Sequence, residues 1–327
     1  MKVLFIGGTG NISSSVSRLC VEKGFELYLL NRGISGDEIP GTTRIAGDIN
    51  NPLSVNSILG DHLWDVVVNW IAFTEADIIR DFNLFKDRTK QYIFISSASA
   101  YQKPIQTHII TESTPLENPY WEYSRNKIAC EQKLNELYNR YEFPITIVRP
   151  SHTYDTIIPF SIAGSNGYTI IDRIEKGKKV IIHGDGTSLW TITHSKDFAT
   201  GFAGLLGNSK AIGEAYNITS DEVLTWNQIY TYIANAVNAE ANIIHIASDF
   251  ICSIEKSFTG SLLGDKSESA IFDNSKIKSL VPEFRTSIPF REGIKNTINW
   301  FEADPKRKII NPETNDMIER IISAYLR

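Results

Sequence analysis

The 327-residue sequence predicts an α/β fold, a doubly wound parallel sheet followed by a smaller C-terminal region, on three observations. In the opening "MKVLFIGGTGNISSSVSRL", an apolar strand runs straight into three glycines and then into a helical pattern. The first half then alternates short apolar runs with helical patterns, as a sheet built from βαβ units does. Runs such as "DVVVNWIA" and "YIFIS" are nearly all apolar, which suits strands covered on both faces.

Taken in order, strands are expected at Lys2 to Ile6, Glu26 to Asn31, Thr43 to Ala46, Asp65 to Trp70, Gln91 to Ser96 and Ile145 to Arg149. Helices are expected at Asn11 to Glu22, Pro52 to Leu59, Glu75 to Lys86 and about Tyr120 to Tyr141. After Pro150 the rhythm changes. "SHTYDTIIPFSIAGSNGY" is rich in turn formers and aromatics, "KKVIIHGDG" reads as a strand and turn, and helical patterns return at Ser195 to Leu206, Trp226 to Val237 and Phe290 to Phe301. The expected division is a sheet domain over 1–150 and a mainly separate second domain over 151–327, with about 191–220 returning to the first sheet.

Composition narrows the class. With 42% apolar and 22% charged residues the chain can bury a large core, and a net charge of −5 gives no general basic footprint for nucleic acid or anionic lipid. The clusters Lys176, Lys178, Lys179 and Lys306, Arg307, Lys308 are short and read as solvated turns. Cys20, Cys130 and Cys252 match no zinc or disulfide spacing, and no metal set is expected, so a reduced cytoplasmic location is the expectation. The apolar run after Met1 and Lys2 is too short for a signal peptide, and nothing approaches a membrane-spanning length.

The glycine turn fits a nucleotide pyrophosphate, because backbone N–H groups at a helix N-terminus point at an anion and glycines let the backbone approach it. Ser13 stands where a third glycine of the G-x-x-G-x-x-G reading would pack helix on strand. In "YSRNK", Tyr123 and Lys127 are four apart and share a helical face, where a close ammonium would favour the phenolate. The strand ending in "SSAS" delivers Ser96, Ser97 and Ser99 to a carboxyl edge, where ligands of open α/β sheets bind. Tyr123 could then exchange a proton with a substrate oxygen, Lys127 tuning it and Ser97 orienting that oxygen. An exposed helical face is the plainer alternative for the pair.

These residues together resemble the extended branch of the short-chain dehydrogenase/reductase superfamily, the NAD-dependent epimerase/dehydratase group. The segments "GGTGNIS", "AGDI", "FISSASAY", "YSRNK", "IVRP", "GDGTSLWTITHSKDFATGF" and "GEAYNITSDEVLTWNQI" fall in the family's order over nearly the full chain. The resemblance implies a Rossmann domain with a C-terminal substrate domain, a bound NAD or NADP, and catalytic roles for Ser97, Tyr123 and Lys127. It also implies cofactor contacts from Gly7, Gly10, Asn11 and Ile12 in the turn, Asn31 and Arg32 after the second strand, Asp48 and Ile49 near the adenine, and Ala72 lining the cleft. Arg32, where NAD enzymes carry an acidic residue, tips the expected cofactor toward NADP.

Departures from the family pattern carry information as well. The carboxylate pair of the 4,6-dehydratases is replaced by Ala98 and Ser99, which disfavours dehydration. Trp190 stands where nucleotide-sugar epimerases place a diphosphate-binding arginine, and His152 replaces an asparagine, so a smaller and less charged substrate is expected, with Ser99, His152 and Trp190 as candidate contacts. His183 and His194 flank the "GDG" turn and Asp197 is expected to cap the following helix; structural hydrogen bonding is the commoner use of such histidines. Trp70, Phe73, Tyr101 and Tyr168 are further cleft candidates, although large aromatics are more often core. The expected activity is hydride transfer on a sugar-like or polyhydroxylated small molecule, with epimerisation and net oxidation or reduction both open. Atypical members of the superfamily include RNA-binding plant proteins, so a catalytically lapsed RNA-binding or regulatory protein is the rival, opposed by the intact Tyr and Lys and the acidic balance. Relatives often form homodimers through the helix bearing these two residues, although Glu131, Lys133 and Glu136 could equally face water.

Overall fold

Seven runs rich in Val, Ile, Leu and Phe pair into one parallel sheet: β1 (Lys2–Ile6), β2 (Glu26–Asn31), β3 (Thr43–Ala46), β4 (Val66–Asn69), β5 (Tyr92–Ile95), β6 (Ile145–Pro150) and β7 (Glu214–Ile218). The computed structural model describes residues 1–33, 38–158, 160–162 and 167–327. Strand order is β7-β6-β5-β4-β1-β2-β3, and every neighbouring pair is parallel. The order reverses beside β1, and a crevice opens there at the carboxyl ends of the strands.

Four helices alternate with the early strands: α1 (Ser13–Glu22), α2 (Pro52–Leu59), α3 (Glu75–Phe85) and α4 (Glu122–Tyr141). Local chemistry sets their starts. Asn51 accepts from the Ser54 N–H and Pro52 opens α2, while Thr74 and Asp77 form a reciprocal capping box on α3. The α4 start lies two residues beyond the expected Tyr120, because Asn118 Oδ1 takes the backbone N–H groups of Tyr120 and Trp121 into a turn.

The period-2 side-chain pattern divides the core between the two sheet faces. Val3, Phe5, Val66, Val68 and Ile93 pack under α1 and the helix Ser195–Ala203. Leu4, Ile6, Val67, Tyr92 and Phe94 pack with α2, α3 and α4. A third core gathers the later chain, including Trp226, Ile229 and Tyr230 of the helix Trp226–Ala236 and Phe290, Ile294 and Ile298 of the helix Phe290–Glu302. The strand expected in "KKVIIHGDG" is Lys179–His183, paired in parallel with Asn242–Ile246. The helix Pro312–Tyr325 has no counterpart in the sequence reading.

Short strand pairs bind the later chain to the sheet's crevice. Ile192–His194 runs parallel to His152–Tyr154, and Ile271–Phe272 runs parallel to Ile109–Ile110. Among the described residues no helix is long and apolar enough to cross a membrane.

Candidate active site

The β1–α1 turn lines a cleft of about 750 Å³ at the switch point. Gly7 and Gly8 adopt φ of +93° and +96°, a region unfavourable to side chains, and a Cβ on Gly8 would sit 2.8 Å from Leu29 Cδ2. Ser13 replaces the third glycine by a side-chain role: it accepts from the Gly10 N–H at 2.9 Å, while Ser17 donates to the Gly8 carbonyl at 2.8 Å. Ile12, the cap residue of α1, offers no side-chain acceptor, so the positive end of the helix faces the cleft uncapped by it. Ser96 Oγ, Asn31 Nδ2 and Trp70 Nε1 belong to lining residues, are buried, and have no hydrogen-bond partner among the described residues. Such orphaned donors beside a glycine cradle fit a dinucleotide.

Gly7, Gly10, Asn11, Ile12, Asn31, Arg32, Asp48 and Ile49 all line this cleft. Ala72 does not: it is buried in the sheet core, and Trp70, Ile71 and Phe73 form that wall instead. What Ala72 contributes is its carbonyl. Asn11 also ties the turn to the later chain, donating to the Thr153 carbonyl and accepting from the Ile157 N–H.

Ser97, Tyr123 and Lys127 meet at the end of β5, where the face of α4 crosses it. The buried Lys127 ammonium donates to the carbonyls of Ala72 at 2.7 Å and Ile95 at 2.8 Å, and burial holds it down to about 8. The sequence reading expected this ammonium to make the phenol acidic, and here the structure differs. Lys127 Nζ lies 5.7 Å from the centre of the Tyr123 ring and is held by the two carbonyls. Burial therefore raises Tyr123, with the Ser97 hydroxyl opposing and the Asp265 carboxylate adding to the rise. A protonated phenol is a proton donor, the form suited to a substrate carbonyl oxygen.

Ser99 is tied into a chain of hydroxyl contacts. Its hydroxyl lies 2.9 Å from Ser97 Oγ and accepts from Ser124 Oγ at 2.8 Å, and the residue is 3% exposed, so it positions Ser97. Asn118 Nδ2 bridges the carbonyls of Ser99 and Gly264, fixing the β5 end against the later chain.

A second cavity of about 270 Å³ opens on the far side of Tyr123, and Ser97, Tyr123, Pro150 and Ser151 line both spaces. Ser99, His152 and Trp190 all line it as expected, the rings of His152 and Trp190 with centres 5.3 Å apart. Sequence reasoning missed Lys103, Trp121 and Asp265, which complete its walls. Lys103 carried no motif, and Asp265 lies 142 residues along the chain from Tyr123, so spacing held no signal for either. Burial works to raise Asp265, but His152, Lys266 and Lys103 outweigh it and hold the carboxyl below its usual range. Burial, aided by Lys266, lowers His152 against the pull of Asp265.

Several other candidates are structural. His183 Nε2 meets the Lys266 carbonyl at 2.7 Å, and His194 Nδ1 accepts from the Lys196 N–H as the actual cap of the following helix. Asp197 does not cap that helix; it accepts from the Ser287 and Ile288 N–H groups and the Ser287 hydroxyl. Tyr101 donates to Asn217, and Tyr168 packs on Phe301. Glu131, which could have faced water, is 1% exposed and bonded to Arg149.

The family model described as NAD dependent epimerase/dehydratase matches residues 3–219. The chain is similar to the chloroplast stem-loop binding protein of 41 kDa b of Arabidopsis thaliana, 26% identical over 97% of this chain and 84% of that one. It is 23% identical to the dTDP-D-glucose 4,6-dehydratase of Homo sapiens over 80% of this chain and 75% of the relative. A UDP-glucose 4-epimerase from Bifidobacterium longum, solved in complex with NAD+ and UDP, superposes with a TM-score of 0.76 at 16% identity, covering 94% of this chain and all of that one, a likeness of fold. Since the family match spans well over half its length, the chain belongs to the NAD-dependent epimerase/dehydratase family.

Proposed function

We propose that this protein is an NAD(P)-dependent oxidoreductase or epimerase that acts by hydride transfer on a sugar-like or polyhydroxylated alcohol or carbonyl. The observation that carries the reading is the position of Tyr123 and Ser97, which line both the dinucleotide-sized cleft and the smaller cavity beyond it. A nicotinamide cofactor, when bound, supplies the hydride acceptor or donor. In the reducing direction the substrate carbonyl carbon gains hydride and its oxygen takes the proton of the Tyr123 hydroxyl, leaving an alcohol and a phenolate; oxidation is the reverse and starts from the phenolate. Ser97 orients the reacting oxygen, and Lys127, donating to the Ala72 and Ile95 carbonyls, holds the face of α4 that carries Tyr123 against the end of β5.

Arg32, exposed on the cleft wall after β2 and paired with no carboxylate among the described residues, supports NADP, whose 2′-phosphate a guanidinium can bind. Ala98 and Ser99 provide no acid–base pair for water elimination, so dehydration is the less favoured chemistry.

The test is Tyr123→Phe. Turnover should fall by about 10²–10⁴-fold, the usual worth of a positioned proton donor, while NAD(P)H affinity by fluorescence titration stays within about twofold. Absence of NAD(P) binding, together with salt-dependent RNA binding that survives in Tyr123→Phe, would overturn the enzymatic reading.

A further inference from the structure

Two loops from different strands wall the dinucleotide-sized cleft, and one nearly buried guanidinium is linked to both. Asp48, Ile49 and Asn50 follow β3, Ile71 and Phe73 follow β4, and all five line the cleft. Arg80 of α3 is not among the described lining residues, and its side chain is 12% exposed. Its Nη1 donates to Asn50 Oδ1 at 2.8 Å and to Asp77 Oδ1 at 2.7 Å. Its Nε and Nη2 donate to Asp81 Oδ1 at 3.0 and 2.8 Å.

The two carboxylates pass the constraint to the backbone. Asp77 Oδ2 accepts the N–H groups of Phe73 and Thr74, each at 2.9 Å. The fully buried Asp81 accepts from the Tyr92 hydroxyl at 2.6 Å and from Asn69 Nδ2, and Asn69 Oδ1 takes the Ile71 N–H at 2.8 Å. Between these two anchored residues stands the Ala72 carbonyl, which receives the Lys127 ammonium. On the β3 side the Asn50 N–H bonds Asp48 Oδ1 at 3.0 Å, so Arg80 supplies the restraint on the Asn50 side chain.

The residue type suits this task. A guanidinium spreads five N–H donors in fixed directions and makes four bonds to three residues here, whereas an ammonium offers three donors from one point. Its charge is already met by Asp77 and Asp81, so it keeps no excess for a phosphate. We propose that Arg80 is a positioning residue for the dinucleotide, fixing Asn50 at the edge of the cleft that receives the adenosine end. The assignment rests on the reading of the cleft as a dinucleotide site whose reacting ring lies at Tyr123. Tyr123 meets the end of β5, and β3 stands on the other side of β1 in the sheet, so the β3 loop falls to the opposite end of the cofactor.

The experiment measures NADH and NADPH affinity of the full-length protein by fluorescence titration, with urea unfolding in parallel. Asn50→Ala and Arg80→Lys should each weaken binding about threefold or more, and Asn50→Ala, at an exposed position, should leave the unfolding midpoint nearly unchanged. Combining the two should cost less than the product of the single losses, because both remove the same contact. Asn50→Asp keeps the acceptor for Arg80 and loses the amide donor, so NADH affinity should stay within about threefold of the unaltered protein. Single losses below threefold, losses that multiply in the double variant, or a weakening in Asn50→Asp equal to that in Asn50→Ala would overturn the positioning role. Should Arg80→Lys fail to fold, the contrast between Asn50→Ala and Asn50→Asp decides the matter alone. Intact NAD(P)H binding by the unaltered protein leaves the dinucleotide reading in place in those outcomes; its absence overturns that reading and this one together.

Discussion

Replacing Glu131 by glutamine should destabilise the protein severely while leaving its shape nearly unchanged. Glu131 on α4 and Arg149 on β6 are 1% and 5% exposed, joined by two bonds of 3.0 and 2.5 Å. Arg149 also donates to the Tyr101 hydroxyl at 2.9 Å and the Glu112 carbonyl at 3.1 Å, and Tyr101 passes the link to Asn217 on β7. The pair thus clamps the helix carrying Tyr123 and Lys127 to the sheet edge. Glu131→Gln removes one charge and strands a buried guanidinium, which costs about 3–5 kcal/mol. At roughly 2 °C per kcal/mol for a chain this large, Tm should fall by about 6–10 °C. Arg149→Met should cost a similar amount by stranding the carboxylate. The double variant Glu131→Leu with Arg149→Met should recover most of the loss, because apolar residues of similar volume replace a buried pair at little cost. Urea unfolding followed by circular dichroism measures all three, and the double variant should be more stable than either single variant. Single variants that each cost under about 1 kcal/mol, or a double variant equal to their sum, would refute the reasoning.

Lys127 gives a pH signature. Burial holds its folded pKa to about 8 while the unfolded chain keeps the ordinary value near 10.4, so between these values the unfolded state binds more protons and stability rises with pH. Lys127→Met should remove an increment on the order of 2–3 kcal/mol from the difference between urea unfolding at pH 7.5 and pH 10; an unchanged difference would show that the ammonium does not titrate there. Gly8→Ala, with φ of +96° and Leu29 2.8 Å from the new Cβ, should cost about 1–3 kcal/mol in thermal unfolding and weaken NAD(P)H affinity. Arg32→Ala should weaken NADPH binding by about tenfold with little effect on NADH, read by fluorescence titration, and equal loss for both would remove the argument for NADP.

Much of the fold was legible because it is written in local patterns. β1, β2 and β3 lie where the apolar runs place them, and α2 has its expected bounds, because period-2 and period-3.6 burial and capping residues such as Asn51 act over a few positions. The glycine turn was readable for the same reason: Gly7 and Gly8 meet a backbone requirement that no neighbour can supply. Errors began where a side chain answers to something distant. Asp197, expected to cap its own helix, bonds residues some ninety positions away, and Glu131, on a face that could have met water, is claimed by Arg149.

The sequence by itself determined six of the seven strands of the sheet, the turn and the Tyr123–Lys127 register, since each depends on contacts within a strand, a turn or a helical repeat, whereas β7 was not among the expected strands. Only the tertiary structure decided which carbonyls hold the Lys127 ammonium, and that Lys103, His152, Trp190 and Asp265 enclose one cavity with Tyr123. Those groups come from a loop, two strands and a helical turn up to 162 residues apart, Lys103 to Asp265, and the protonation of the titratable ones follows from burial and mutual charge, quantities that exist only once the chain has closed around them.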